Sequence, residues 1–252
     1  MSFLVSEQEL GTAESDWLAS DELAACRTID WTKEVRTSEL NRRAVVLAPH
    51  PDDEVLALGG TMIALVRAGF SVDVVAITDG EASHPRLTAD VREQLGARRA
   101  QEQRIALSKL DIGDVRVQRL HLPDGLVAET DGLAETLEPV LQGAALCFAP
   151  WERDGHPDHD ATGRAARIAS HRVQVRLIEY PVWAWHWATP HHSAFPWERA
   201  ARVELDESTL RAKERAIDAY TSQIAPLVVG DAPVLPRAVL ARFRRPFETV
   251  FA

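Results

Sequence analysis

The sequence predicts an α/β fold: a Rossmann-like three-layer arrangement, with a mostly parallel sheet and helices on both faces. Three observations predict it. Short apolar runs alternate with helical stretches five times in about 140 residues. The runs themselves are the kind that buried strands show. Two unusual His-Pro-Asp motifs follow the first and fourth runs, where doubly wound sheets bind ligands.

Residues 1–40 are acidic and weakly patterned, and read as an N-terminal extension packed on the main domain. Ser20 is placed to cap a short helix running to about Trp31. The main domain, 41–252, opens with the apolar run 44–48, a buried strand. After Pro-His-Pro-Asp-Asp-Glu at 49–54, a helical stretch runs to about Ala68 and stops at Gly69. Residues 72–77 are the second strand, ending at the turn Asp79-Gly80. A long helix follows from Thr88 to about Leu110, and then a third strand at 115–122. Residues 133–141 are helical and 145–149 form the fourth apolar run. A helix at about 158–170 leads to a fifth strand at 175–180. Beyond Pro181 come a Trp/His-rich stretch, a strand near 202–205, a helix near 207–222 and a Pro-punctuated tail. These read as an elaboration of the same domain.

Composition narrows the function classes. The chain has 252 residues, 38 acidic against 28 basic, a net charge of −10 and a pI near 5.4. That balance disfavours a nucleic-acid partner, which calls for a basic face. Cys26 and Cys147 cannot make a disulfide framework, so a reducing compartment is expected. The start of the chain has no basic segment followed by a long apolar one, so it does not read as a secretory signal. The longest apolar stretch, 55–66, ends at Arg67. That falls short of the roughly 20 residues of a membrane span, and a cytoplasmic protein is expected.

The first motif is His50-Pro51-Asp52-Asp53-Glu54 and the second is His156-Pro157-Asp158-His159-Asp160. Either alone reads as a helix start, with Pro in the first turn and acids at the positive end of the dipole. Two of them, each with His before Pro and each after an apolar strand, argue for chemistry. If the first and fourth strands are neighbours, both motifs face one crevice. Imidazole and carboxylate suit Zn²⁺, and a catalytic zinc keeps three protein ligands and a water. His50 and Asp53 lie one helical turn apart, and His159 can supply the third ligand. Asp52 is then left to take a proton from the water. A dinucleotide site is excluded: this turn has no glycine and three carboxylates, and Gly59-Gly60 falls inside the helix.

These motifs resemble those of the PIG-L/LmbE-like metal-dependent deacetylase family. The resemblance rests on APHPDDE at 48–54 and GHPDHDA at 155–161. It is joined by TDGE at 78–81, Arg99-x-x-Glu102, LPDG at 122–125 and AIDAYTSQ at 216–223. It implies a Rossmann-like fold and hydrolysis of an N-acyl group, usually N-acetyl on a glucosamine-type sugar. The cofactor implied is Zn²⁺ or another divalent cation, and the partner is a small N-acylated sugar or glycoconjugate. Carried over motif by motif, His50, Asp53 and His159 are expected as ligands and Asp52 as general base. His156 is expected to stabilise the oxyanion or protonate the leaving amine, with Asp158 orienting a site histidine. Arg99 and Asp124 are expected on sugar hydroxyls. An amidase of a larger amide or thiol conjugate, and a non-catalytic sugar-binding relative, stay open beside the deacetylase.

Other residues divide between packing and function. Trp183, Trp185 and Trp187 alternate with period two, as an edge strand with one buried face does, and an aromatic row can also stack on sugar faces. His186, His191 and His192 read as solvent-exposed loop histidines or extra ligands. Glu152-Arg153-Asp154 reads as a lid or a solvated loop. Arg242, Arg244 and Arg245 form a small basic cluster, which does not read as a nucleic-acid site at this net charge.

Overall fold

The computed structural model describes residues 11–34, 42–84, 86–227 and 230–252. Among these residues eight strands form a single sheet: β1 (Arg27–Thr28), β2 (Arg43–Ala48), β3 (Ser71–Thr78), β4 (Arg116–Leu122), β5 (Leu146–Pro150), β6 (Arg176–Tyr180), β7 (Ala200–Glu204) and β8 (Phe247–Phe251). Their order is β1-β7-β8-β6-β5-β2-β3-β4. The five strands expected between residues 44 and 180 are β2 to β6. They lie in the doubly wound order, all parallel, with β2 and β5 side by side. Only β8 runs against its neighbours, β6 and β7.

The central strands are buried on both faces, and their side chains divide strictly by parity. Ala44, Val46, Ala48, Leu146 and Phe148 join the larger core on one face. Val45, Leu47, Cys147 and Ala149 join the smaller core on the other. Helix α4 (Asp53–Arg67) packs in the first core, with α9 (Glu207–Ile217) beside it. Helices α6 (Leu133–Leu141) and α7 (Pro157–Val173) cover the second, α7 through a run of alanines, Ala161, Ala165, Ala166 and Ala169. Helix α5 (Ala89–Lys109) follows β3 and packs against α9.

Three sequence expectations change. Ser20 does cap a helix, its Oγ accepting from the Leu23 N–H, but α2 (Asp21–Ala24) is one turn long. The chain then makes β1 and a second short helix, α3 (Trp31–Glu34), while α1 (Glu14–Leu18) precedes them. The helix near 207–222 breaks into α9 and α10 (Thr221–Ile224). Trp183, Trp185 and Trp187 do not lie on an edge strand: residues Ala184–Trp187 form a one-turn helix, α8. Trp185 is buried edge-on against Trp17 at 4.8 Å, which pins residues 11–34 to the domain. The last helix is α11 (Arg237–Leu240), and the tail after it supplies β8.

Gly59 and Gly60 allow close packing around α4. A Cβ on Gly60 would lie 2.3 Å from Leu205. The Glu248 carboxylate of β8 reaches the same point and accepts the Gly60 and Thr61 N–H groups at 2.7 and 2.6 Å. Lys213 of α9 closes the pair with Glu248 at 2.7 Å, both side chains only 1% exposed. Truncating one partner leaves a buried charge uncompensated, which costs about 3–5 kcal/mol. Lys213→Met is therefore expected to lower the unfolding free energy by about that much, read from urea midpoints at unchanged slope.

Candidate active site

Parallel pairing of β2 with β5 sets the site. Ala44, Val45 and Val46 stand opposite Leu146, Cys147 and Phe148, so both strands deliver their carboxyl ends to the same edge. Residues 49–54 leave one strand end and 151–159 leave the other, at the point where strand order reverses. The second motif also caps its helix: His156 Nδ1 accepts the Asp158 N–H at 3.2 Å, with Pro157 in the first turn. The first does not. Asp52 occupies the cap position of α4 but makes no side-chain cap bond. Asp53 instead accepts the His50 N–H at 2.9 Å.

Three ligand atoms converge. His50 Nδ1 lies 3.4 Å from Asp53 Oδ2, His159 Nε2 lies 3.2 Å from that oxygen, and the two nitrogens are 3.2 Å apart. Donors about 2.0–2.1 Å from a tetrahedral centre stand about 3.3–3.4 Å from each other, so the group matches the spacing a divalent ion requires. A second cluster, His50, His156 and Asp158, is also compact. Its donors are already used: Asp158 accepts the Gly125 and Val127 N–H groups at 2.8 and 3.1 Å, and His156 Nδ1 holds the helix cap.

The far nitrogens of both ligand histidines meet carboxylates. His159 Nδ1 lies 2.8 Å from Asp154 Oδ2. His50 Nε2 lies 3.1 Å from Asp158 Oδ2 and 3.2 Å from Asp124 Oδ1. A carboxylate can only accept, so each of these nitrogens carries a proton, and the opposite nitrogen, once it has lost its own, could present its lone pair to a cation. Asp154 is a correction to the reading of 152–154 as a lid or solvated loop. It is fully buried and also accepts the N–H groups of Val182, Trp183 and Ala184 at 2.8–3.0 Å. Gly155, beside it, has φ +95°, and a Cβ there would strike the Trp187 indole at 2.5 Å.

Around the ligands the charges are strongly coupled. Burial pushes the Asp52 carboxyl up to about 8, with the Asp53 charge adding to the effect. Burial also raises Glu54, to about 7. Burial pushes His156 down to about 2, reinforced by the neighbouring His50 and His159, so its imidazole is neutral. With Nδ1 accepting, its proton sits on Nε2. Burial opposes charge on His159 too, but Asp53 and Asp154 outweigh it and raise its pKa to about 9. The same contest at His50, against Asp124, Asp158 and Asp53, leaves it well above the ordinary value.

Arg99 is buried, donating to the Gly80 carbonyl and to Ser83 Oγ. Its buried Nε has no hydrogen-bond partner among the described residues. Asp124 Oδ2 accepts the Ala82 N–H at 2.7 Å. Together with His50, Asp52, Asp53 and His156, both residues line one cavity of about 710 Å³. The histidines 186, 191 and 192 join neither ligand group. His191 faces Glu22 on the surface, and His186 lies in the cavity wall.

Several residues of the matched motifs, given no role by the sequence, support the site. Glu54 accepts from Gln103 Nε2 and from the Tyr220 hydroxyl. Glu102 accepts from Thr221 Oγ1, the Ser222 N–H and Ser222 Oγ. Gln223 donates to the Pro51 carbonyl at 2.8 Å. The 216–223 stretch thus serves as a brace that ties α5 and the first motif together. Its Tyr, Ser and Gln, at 220, 222 and 223, were the available signal.

Two outcomes follow. Cation binding needs both ligand imidazoles neutral, and the metal-free site favours their charged forms. Uptake at pH 7 should therefore release protons, and apparent affinity should rise at least about tenfold per unit between pH 6 and 8, levelling only once both imidazoles have lost their protons. Calorimetry in buffers of different ionisation enthalpy measures both. Asp154→Asn should weaken cation affinity by about 10–100-fold in chelator competition.

The family model described as "PIG-L: GlcNAc-PI de-N-acetylase" matches residues 45–170, half of the chain. A "1D-myo-inositol 2-acetamido-2-deoxy-alpha-D-glucopyranoside deacetylase" of Mycobacterium sp. (strain KMS) is 33% identical over 168 residues, 57% of this chain and 54% of that protein. The chain therefore spans about half the length of that curated relative. Among solved structures, the conserved protein TT1542 from Thermus thermophilus is similar with a TM-score of 0.57 and 28% identity, over 79% of this chain and 84% of that one. The zinc inhibited form of teicoplanin deacetylase Orf2 shares the fold at a TM-score of 0.62 and 19% identity, over 83% of this chain and 97% of that one. A deacetylase family model and a compact His-His-Asp group thus agree on a divalent-metal site, and the chain belongs to the PIG-L family.

Proposed function

We propose that the chain is a metal-dependent hydrolase that removes an N-acyl group, N-acetyl above all, from an amino sugar or its conjugate. The observation that carries this reading is the set of three donors at 3.2–3.4 Å, with Asp52 and His156 lining the same cavity. His50, Asp53 and His159 would hold the ion, zinc by the donor chemistry of two imidazoles and a carboxylate. A bound divalent ion supplies the positive charge that polarises an amide carbonyl and acidifies water.

The protein's own groups then move the protons. Asp52 accepts one from the attacking water. Burial raises its carboxyl to about 8 in the metal-free site, and a cation beside it lowers that toward neutrality, where a base that must also return its proton works best. His156 is a neutral donor in this reading. Its Nε2–H is offered to the acyl oxygen as charge builds there. That assigns the return of the proton to the leaving nitrogen to Asp52. Asp158 and Asp124 orient His50 through Nε2, and Asp154 orients His159. Arg99, in the cavity lining, is assigned to a sugar hydroxyl, and Asp124 accepts one with the lone pairs that His50 and Ala82 leave.

Asp52→Ala should retain the metal in elemental analysis and lose about 10²–10⁴-fold in turnover. Amine release across a panel of N-acetylated sugars and conjugates, with and without chelator, is the assay. Close to full activity in Asp52→Ala would sink the base assignment. No release from any panel member with metal restored would sink the hydrolase reading.

A further inference from the structure

The cavity has two unlike ends. One holds His50 and Asp53 with Asp52, Arg99 and His156. The other is walled by Leu126, Trp183, Val234, Leu235, Val239 and Phe243. These six side chains come from three segments: the turn after β4, the loop after β6, and the tail before β8. Trp183 marks the boundary, its ring centroid 5.6 Å from that of His156. The volume of about 710 Å³ lies in the upper part of the range for pockets that enclose drug-sized ligands, and leaves ample room beyond one sugar ring.

The wall is fixed in place. Arg242, which also lines it, donates to the Thr12 carbonyl at 2.8 Å and stands 3.3 Å from His186 Nδ1. Arg245 makes a two-point ion pair with Glu14 and stacks over Trp185 at 4.2 Å. Two members of the small basic cluster, Arg242 and Arg245, are thus buried, tying the tail to the N-terminal segment. Leu126, by contrast, is 46% exposed at the cavity rim, a large apolar side chain left in water.

We propose that this wall is an aglycone subsite. Resting on the hydrolase reading for the placement of the acyl group, the substrate is an N-acylated amino sugar carrying an uncharged alkyl or aryl group. A polyol such as the inositol named for the Mycobacterium relative could bond to Arg92 or Arg242 but would leave the apolar wall wet. An apolar group removes that wall, Leu126 included, from water. A cationic group is disfavoured, because Arg92 and Arg242 both line the same space.

The test is calorimetric binding of methyl, hexyl and phenyl N-acetylglucosaminides to chelator-treated protein, where no turnover intervenes. Hexyl and phenyl glycosides should bind at least about tenfold tighter than methyl, with a more negative heat-capacity change. Leu126→Ser, at an exposed position that the fold does not depend on, and Val239→Ser should each cut that ratio at least about threefold. Equal affinities across the series overturn the subsite, as does a ratio that both variants leave unchanged. Amine release with metal restored reports separately. A binding gradient without release keeps the subsite and removes the hydrolysis. Release without a gradient does the reverse.

Discussion

Six carboxylates, Asp52, Asp53, Glu54, Asp124, Asp154 and Asp158, lie buried or nearly so around the ends of two adjacent strands. Like charges at this density cannot all ionise in a poorly hydrated space without cations among them. The protein supplies Arg99 and two imidazoles that these acids keep protonated. A divalent ion at the His50-Asp53-His159 group would take over from the two imidazolium charges. The site is thus arranged around a charge deficit, and its pKa pattern follows from that. Asp52 and Glu54, whose burial outweighs the charges and hydrogen bonds that oppose it, are pushed up, and His156, buried among positive rings, is pushed down.

Such a site needs a frame that does not relax. The frame is the parallel β2–β5 pair with a helix starting just beyond each strand. Most of these acids are held by backbone or by a distant side chain: Asp158 by two N–H groups of the 125–127 turn, Asp154 by three of the 182–184 segment, Glu54 by Gln103 and Tyr220. These bonds satisfy the carboxylates without neutralising them, so charge and rigidity come from the same contacts.

Much of this was legible in the sequence. The runs at 44–48, 72–77 and 145–149 are apolar on both faces because they lie mid-sheet, and such runs announce themselves. His50, Asp53 and His159 were legible because ligand types after buried strands have few other uses. What stayed hidden was hidden by sequence distance. Asp154 sits in WERDG, which looks solvated, because the backbone it holds lies about thirty residues on. Strand β8 reads PFETVF, and its Glu248 disguises it because the partner Lys213 is on another helix. The Trp row has period two, yet its backbone closes a helical turn, the His186 and Ala188 N–H groups bonding the Trp183 and Ala184 carbonyls while Asp154 captures the N–H groups of 182–184. Asp124 reads as a sugar contact from its motif, yet the fold also sets it against His50.

The cavity's two ends are encoded in separate stretches of chain. The charged end is written between residues 48 and 159, and the apolar wall largely between 182 and 243 with the 11–14 segment clasping it. Asp154 is the joint, one carboxylate gripping a ligand histidine and the start of the wall. On the proposed hydrolase reading, such a division lets a lineage exchange what it holds without disturbing how it cuts. Drift in the tail rewrites the passenger group, while any change at the joint is felt on both sides at once. Diversity of substrates within one lineage is then a property of where the chain turns back on itself, and less of the chemistry at the strand ends.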